Sequence, residues 1–245
     1  MPADTGDISE TAAVIVARGA EEMGIELPDG APAMFAAYYD LLEKRGHSVN
    51  LTAIEGAKDV AELHFLDSLA LLNSAGFKNA SVIDIGSGAG FPGVPLKIAE
   101  PTIKLALLDA TAKRIAFLSE LCGLLGIEAE LIIARAEEAA NDPLRRARFD
   151  IAVSRAVARL NVLCELCLPF VRAGGLFIAM KTIGSADELD EADGAIKALG
   201  GQYSRSCDYH IPGTDVMRSA VVIEKISDTP DAYPRRFSKI QKAPL

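Results

Sequence analysis

Val82-Ile83-Asp84-Ile85-Gly86-Ser87-Gly88-Ala89-Gly90-Phe91-Pro92-Gly93 is the stretch on which the fold turns. Apolar, β-favouring residues flank a single acid, three glycines follow at alternate positions, and Pro92 stands where a helix would begin. Glycines so placed let the backbone take positive φ and let a ligand approach to backbone distance. A strand, a glycine turn and a helix N-terminus in this order predict the cradle of a nucleotide-like ligand.

Two registers of that loop compete. Gly88-Ala89-Gly90-Phe91-Pro92-Gly93 spells G-x-G-x-x-G, and Asp109 follows at about the spacing (~20 residues) of a ribose-binding acid in a dinucleotide fold. That fingerprint wants its first glycine directly after the strand, a place held by Gly86; counted from there, the third glycine position is Phe91 and the register fails. The other register, D-x-G-x-G-x-G from Asp84, is the pattern of S-adenosylmethionine-dependent methyltransferases of the Rossmann-like class. It uses the acid and all three glycines. S-adenosylmethionine carries no pyrophosphate, so an acid at the strand end suits its ammonium group. The methyl donor is favoured over NAD.

The rest of the chain is read against that expectation. Residues 8–24 and 31–45 carry helix-like apolar spacing, divided by Pro28-Asp29-Gly30-Ala31-Pro32, and Asp59–Ala75 repeats leucines at 63, 66, 69 and 72. Residues 1–75 are thus expected to form a helical extension packed on a core of residues 76–245. In the core, strands alternate with helices: strand 81–85, a helix from about Pro92, strand Lys104–Leu108, helix Ala112–Leu125 and strand Ala129–Ile133. Strand Phe149–Val153, helix Leu160–Val171, strand Gly175–Met180 and helix Ala186–Leu199 follow. That rhythm predicts a parallel sheet covered on both faces. Tyr203–Tyr209 and Ser219–Lys225, joined by a short Pro-Gly turn, leave no room for a helix and pair as an antiparallel hairpin. The expected fold is α/β: a Rossmann-like class I methyltransferase with a mostly parallel seven-stranded sheet, its last strand antiparallel, plus the helical front.

Composition excludes several functions. Half of the 245 residues are apolar, yet no run reaches the ~18 consecutive apolar residues of a membrane span. The N-terminus lacks the order of a signal peptide, so a cytoplasmic protein without membrane attachment is expected. Four cysteines (122, 164, 167, 207) in apolar or strand-like settings suit reduced thiols. Cys164 and Cys167 spell C-x-x-C inside an apolar helix without a second pair, and three scattered histidines complete no ligand set, so no metal is expected. A net charge of −9 argues against a general nucleic-acid binder, but residues 232–245 hold Arg235, Arg236, Lys239 and Lys242 and no acid, so this stretch is expected to supply part of a local face for nucleic-acid phosphates, an incidentally charged terminus being the alternative.

Several residues fall where the carboxyl ends of the strands would bring them together. Asp109 ends the second strand, where it can accept from both ribose hydroxyls or simply cap the next helix. Ala136-Glu137 follows the third strand, beside the expected adenine, although Glu137 and Glu138 also suit a helix's first turn. Arg155 ends the fourth strand, next to the first, where a methyl acceptor meets the sulfonium; a structural ion pair is the alternative. Lys181 at the end of the fifth strand has the same standing. Arg145-Arg146-Ala147-Arg148 reads as a solvated face.

Taken in order, Asn50-Leu51-Thr52-Ala53-Ile54, His64-Phe65-Leu66-Asp67-Ser68-Leu69, Asp84 to Pro95, Leu108-Asp109-Ala110 with Lys113-Arg114, Arg135-Ala136-Glu137-Glu138, Ser154-Arg155-Ala156 and Tyr233-Pro234-Arg235-Arg236 resemble one family. It is that of the bacterial 16S ribosomal RNA guanine-N7 methyltransferases, also called the glucose-inhibited division protein B family, and the likeness spans roughly residues 35–245. The resemblance implies methyl transfer from S-adenosylmethionine to guanine N7 in the decoding-region hairpin of 16S rRNA, as free RNA or in the small subunit, by a monomeric enzyme. It places Gly86 and Phe91 on the methyl donor, with Asp84, Gly88, Gly90 and Asp109 in the same loop system, Ala136-Glu137 at the adenine and Arg155 near the reaction centre. Arg155 and Lys181 are the candidate catalytic residues. The chain departs from the pattern at Arg45-Gly46 and in residues 237–242, where the family's ending is richer in Gly and Pro. The remaining alternatives are an NAD-dependent oxidoreductase, a non-catalytic ribosome-assembly factor and a small-molecule methyltransferase.

Overall fold

The computed structural model describes residues 5–49, 51–155, 157–184 and 186–245. Asn50 and Ala156, which belong to two of the motifs above, lie outside the described residues. The chain opens with helices α1 (Thr5–Glu22) and α2 (Ala31–Val49), and Gly24 and Gly30 between them take φ of 70° and 83°. A third helical segment, α3, runs over residues 57–73 as four pieces: Ala57–Val60, a wide π turn Ala61–Leu66, Asp67–Leu69 and a tighter 3₁₀ turn Ala70–Asn73. Residues expected to make one regular helix thus change pitch in the middle, a feature often found where side chains are re-aimed into a site.

The sheet is seven-stranded in the order β3-β2-β1-β4-β5-β7-β6, from β1 (Ser81–Ile85), β2 (Lys104–Asp109), β3 (Ala129–Ile133), β4 (Phe149–Arg155), β5 (Val171–Thr182), β6 (Gly201–His210) and β7 (Met217–Lys225). β1 to β5 pair in parallel, whereas β7 enters antiparallel between β5 and β6. Helices α4 (Gly93–Ala99), α5 (Ala112–Leu125), α6 (Ala136–Ala139), α7 (Leu160–Cys167), α8 (Ala186–Ala198) and α9 (Phe237–Lys242) connect and close it. α7 stops short of the expected Val171. Pro169, which has no amide hydrogen to give a helix, lies in the 3₁₀ turn Leu168–Phe170 that hands the chain to β5.

Because side chains alternate across a strand, one sequence feeds two cores. Val82, Leu105, Leu107, Ile151, Val153 and Ile178 join the first hydrophobic cluster with α1, α2, α3, α4 and α5. Ile83, Ile85, Leu108, Ala152, Phe177 and Ile223 join the second, with α7, α8 and Ile240 of α9. The helical front therefore shares its core with one whole face of the sheet. Among the described residues, no helix is long and apolar enough to cross a membrane.

Candidate functional site

The loop after β1 is tied down from several sides. The amides of Gly86 and Ser87 both donate to the Leu108 carbonyl, and Ser87 Oγ donates to the Asp84 carbonyl. Asp109 at the end of β2 accepts from the Gly88 amide (3.1 Å) and from Arg114 on one oxygen, and from the Thr111 amide (2.8 Å) on the other. It thus holds the loop and braces the turn that leads into α5 while facing a cavity. Gly86 and Gly88 take φ of 76° and 56°, and a Cβ on Gly88 would meet nothing nearer than the Gly86 carbonyl oxygen at 3.8 Å.

Two cavities of ≈ 470 Å³ each flank this loop and share Gly86 and Arg155. The first is bordered by Gly88, Phe91, His64, Met180, Lys181 and Arg218, with Leu51, Ile54 and Leu63 from the helical front. The second is bordered by Asp109, Ala136, Glu137, Leu166, Val157 and Phe237. The structure so gathers Gly86, Gly88, Phe91, Asp109, Ala136, Glu137, Arg155 and Lys181 around one cleft. Asp84 and Gly90 border neither cavity. The Asp84 carboxyl is fully buried and takes the Gly93 amide at 2.8 Å on one oxygen. Burial pushes it up to about 7, against the lowering pull of Gly93 and Arg155. It braces α4 from beneath the loop, where the sequence had suggested a partner for the ammonium. Gly90 is packed from inside: a Cβ there would lie 2.7 Å from the Tyr38 hydroxyl oxygen.

Arg155 is anchored, not free. Its guanidinium donates to Asp67 (3.1 Å) and to the Leu63 carbonyl (3.2 Å), lies 3.0 Å from His64 Nδ1, and sits 4.9 Å from the centre of the Phe91 ring. Tyr209 donates to the other Asp67 oxygen at 2.8 Å. Since the guanidinium can only donate, His64 Nδ1 accepts, and Nε2 carries the proton to Thr52 Oγ1 at 2.7 Å. Burial and the adjacent Arg155 hold His64 down at about 3, so the ring is neutral at physiological pH. The imidazole stacks on Phe91 at 4.4 Å, and Phe91 stacks in turn on Tyr38 at 5.3 Å. Lys181 is also engaged, donating to Glu188 (2.6 Å) and the Ala158 carbonyl.

His64 and Asp67 stood in a quoted motif without a role, and Tyr209 in none. Their three-residue spacing puts His64 and Asp67 on one face of α3, which is a readable signal; Tyr209 gives none. The basic stretches also resolve differently from expectation. Arg235 donates to both oxygens of buried Glu165, and Arg146 donates to the Thr229, Pro230 and Tyr233 carbonyls. Both are fastenings of the C-terminal strap, whereas Arg236 is exposed. Cys164 and Cys167 are fully buried in the second cluster, and burial pushes both thiols up.

A family model described as rRNA small subunit methyltransferase G matches residues 32–212. The chain belongs to this family. It is 45% identical to the ribosomal RNA small subunit methyltransferase G of Pelotomaculum thermopropionicum over 94% of this chain and 97% of that protein. The namesake from Alkaliphilus oremlandii is 45% identical over 94% and 98%. In fold the chain is similar to a putative O-methyltransferase of Klebsiella pneumoniae, with a TM-score of 0.51 at 18% identity over 78% of this chain and 90% of that one. The rRNA small subunit methyltransferase G family modifies ribosomal RNA, which removes the NAD-dependent oxidoreductase reading. S-adenosylmethionine is its cofactor. The residues fit that group: a glycine turn in which a Cβ on Gly88 would meet nothing nearer than the Gly86 carbonyl oxygen at 3.8 Å, a carboxylate at the end of β2 for a ribose, and a second cavity with an apolar side for a base.

Proposed function

We propose that this member of the rRNA small subunit methyltransferase G family methylates guanine N7 in the decoding-region hairpin of 16S rRNA. The observation that carries the reading is the state of the groups bordering the first cavity. His64 has both ring nitrogens engaged and is held neutral, Asp67 is shared between Arg155 and Tyr209, and Glu188 takes Lys181 and the Leu160 amide. A cleft whose bases are committed in this way suits an acceptor atom that has no proton to lose. Guanine N7 is such an atom. A methyl group accepted on its lone pair would leave the base cationic, with no proton for the chain to remove. When bound, S-adenosylmethionine supplies the electrophilic methyl.

The chain's own residues then act by positioning, the main source of rate available to such a reaction. Asp109 and the Gly86–Gly88 turn hold the adenosine side, with Ala136-Glu137 beside the base. Arg155, fixed by Asp67, carries the Phe91 face and joins the two cavities. Leu51, Ile54, Leu63 and Met180 keep water from the acceptor side. Lys181 keeps its ammonium on Glu188, so Arg218 at the same cavity is the cation assigned to an RNA phosphate, a contact that positions without reading sequence. The test is incubation with tritiated S-adenosylmethionine and either small ribosomal subunits or free 16S rRNA, followed by borohydride reduction and aniline cleavage. A single cleavage in the decoding-region hairpin is expected; label in uncleaved RNA or in protein would overturn the proposal.

A further inference from the structure

The C-terminal strap ends beside the second cavity, and its fastenings are stronger than a chain terminus needs. Arg235 makes four hydrogen bonds to Glu165, three from Nε and NH2 and one from its own amide, and the Glu165 side chain is only 1% exposed. Arg235 also donates to the Ala243 carbonyl, drawing in the far end of α9. Ile240 is fully buried in the second cluster. Between these two anchors stands Phe237, half-buried, and it borders the cavity together with Leu166, the neighbour of Glu165. The Arg135 guanidinium lies 5.5 Å from the centre of its ring, immediately before Ala136-Glu137 in the chain.

The chemistry of the surrounding wall says what this ring is for. Ile85, Leu108, Ala134 and Leu166 make one side of it apolar, Glu137 adds a second acid to Asp109, and its three arginines are engaged, Arg114 with Asp109, Arg155 with Asp67 and Arg135 over the Phe237 ring. Such a wall suits a flat, uncharged aromatic base better than a phosphate. We infer that Phe237 is part of the cofactor site: held by the Arg235–Glu165 latch, it supplies an aromatic wall for the adenine of S-adenosylmethionine. The C-terminal strap is then a preorganised component of the binding pocket, fixed before ligand arrives, and the rotamer cost of closing that wall is met on folding. The inference rests on the cofactor assignment above.

The chain contains no tryptophan, which makes Phe237→Trp a single-site reporter. Calorimetry with S-adenosylhomocysteine and with adenosine is compared for the parent, Phe237→Ala and Phe237→Trp. Phe237→Ala is expected to weaken both ligands by a similar factor of about ten, the scale of one lost aromatic contact, and Phe237→Trp to stay within about threefold of the parent. The indole emission of Phe237→Trp should change saturably with S-adenosylhomocysteine, at the concentration that calorimetry gives. Parent binding with unchanged affinity in Phe237→Ala, or indole emission unmoved at saturation, would overturn the inference. If Phe237→Ala does not fold, the emission titration decides alone. Failure of the parent to bind S-adenosylhomocysteine would instead overturn the cofactor assignment, and the inference with it.

Discussion

Removing the Arg155 guanidinium tests the architecture of the site more severely than any other single change. Arg155→Ala deletes the bonds to Asp67 and the Leu63 carbonyl, the donor to His64 and the cation above Phe91. The Asp67 carboxylate, 5% exposed, then keeps the Tyr209 hydroxyl but has lost its counter-charge. Leaving one member of a buried pair uncompensated costs about 3–5 kcal/mol, which in a chain of this length lowers Tm by roughly 6–20 °C. Replacing both members with neutral groups of similar size, Arg155→Met with Asp67→Asn, should recover most of that loss, since a buried pair as a whole is close to neutral. Urea unfolding of Arg155→Met, Asp67→Asn and the double variant should therefore give a coupling energy of about 3 kcal/mol or more, the double being far more stable than the two singles predict. Methyl transfer should fall at least about tenfold (~1.4 kcal/mol) in the double variant too, because Phe91 and His64 lose the cation that positions them. A stability loss below about 1 kcal/mol in Arg155→Ala, with coupling near zero, would refute the anchoring argument.

Gly88→Val should abolish S-adenosylhomocysteine binding in calorimetry while the protein stays folded, since its Cβ would meet nothing nearer than the Gly86 carbonyl oxygen at 3.8 Å and its methyls would fill the ligand's space; Gly90→Ala should act oppositely, costing about 1–3 kcal/mol of stability by thermal melting because its Cβ meets Tyr38 and Val94. Asp84, raised to about 7, binds a proton in the folded state that the unfolded chain has already lost, so its contribution is present below about pH 4 and is lost as pH rises toward 7. Asp84→Asn should thus gain stability relative to the parent between pH 4.5 and 8 in urea titrations, and a difference independent of pH would count against it. His64, held at about 3, works with the opposite sign: its contribution is present above about 6.5 and is lost as pH falls, so Asp84→Asn should leave a curve that declines into acid. Neutralising the exposed Arg236, Lys239 and Lys242 should flatten the salt dependence of the ribosomal substrate's apparent KM, whereas Arg235→Ala should act on stability, by melting, through Glu165.

The parts of this molecule legible in the sequence are those whose cause is local. The β1 loop, the alternation of strand and helix, and the boundaries of α5 and β3 follow from glycine placement and periodicity within a few residues. What was hidden depends on contacts across the fold. Arg155 meets Asp67 across 88 positions and Asp67 meets Tyr209 across 142, distances at which no spacing rule operates. The basic run at the C-terminus read as an RNA-facing tail because charge alone is visible in a sequence. The buried carboxylate that claims Arg235 lies 70 positions away, on a helix whose apolar character had suggested only core. The insertion of β7 between β5 and β6 is invisible for the same reason, since the antiparallel hairpin fixes their pairing but not which of the two meets β5. Asp84 is the converse case: its position in the motif was legible, its burial was not.

The central claim is that the methyl group goes to a ring nitrogen that carries no proton. The direct measurement is nucleoside analysis by liquid chromatography and mass spectrometry of small-subunit RNA methylated by the purified protein with methyl-deuterated S-adenosylmethionine. The account predicts that the deuterated methyl appears in 7-methylguanosine alone, at one per subunit or fewer. Its appearance in a ribose 2′-O-methyl nucleoside, in a base methylated at an exocyclic amine or at carbon, or in a ribosomal protein would contradict it.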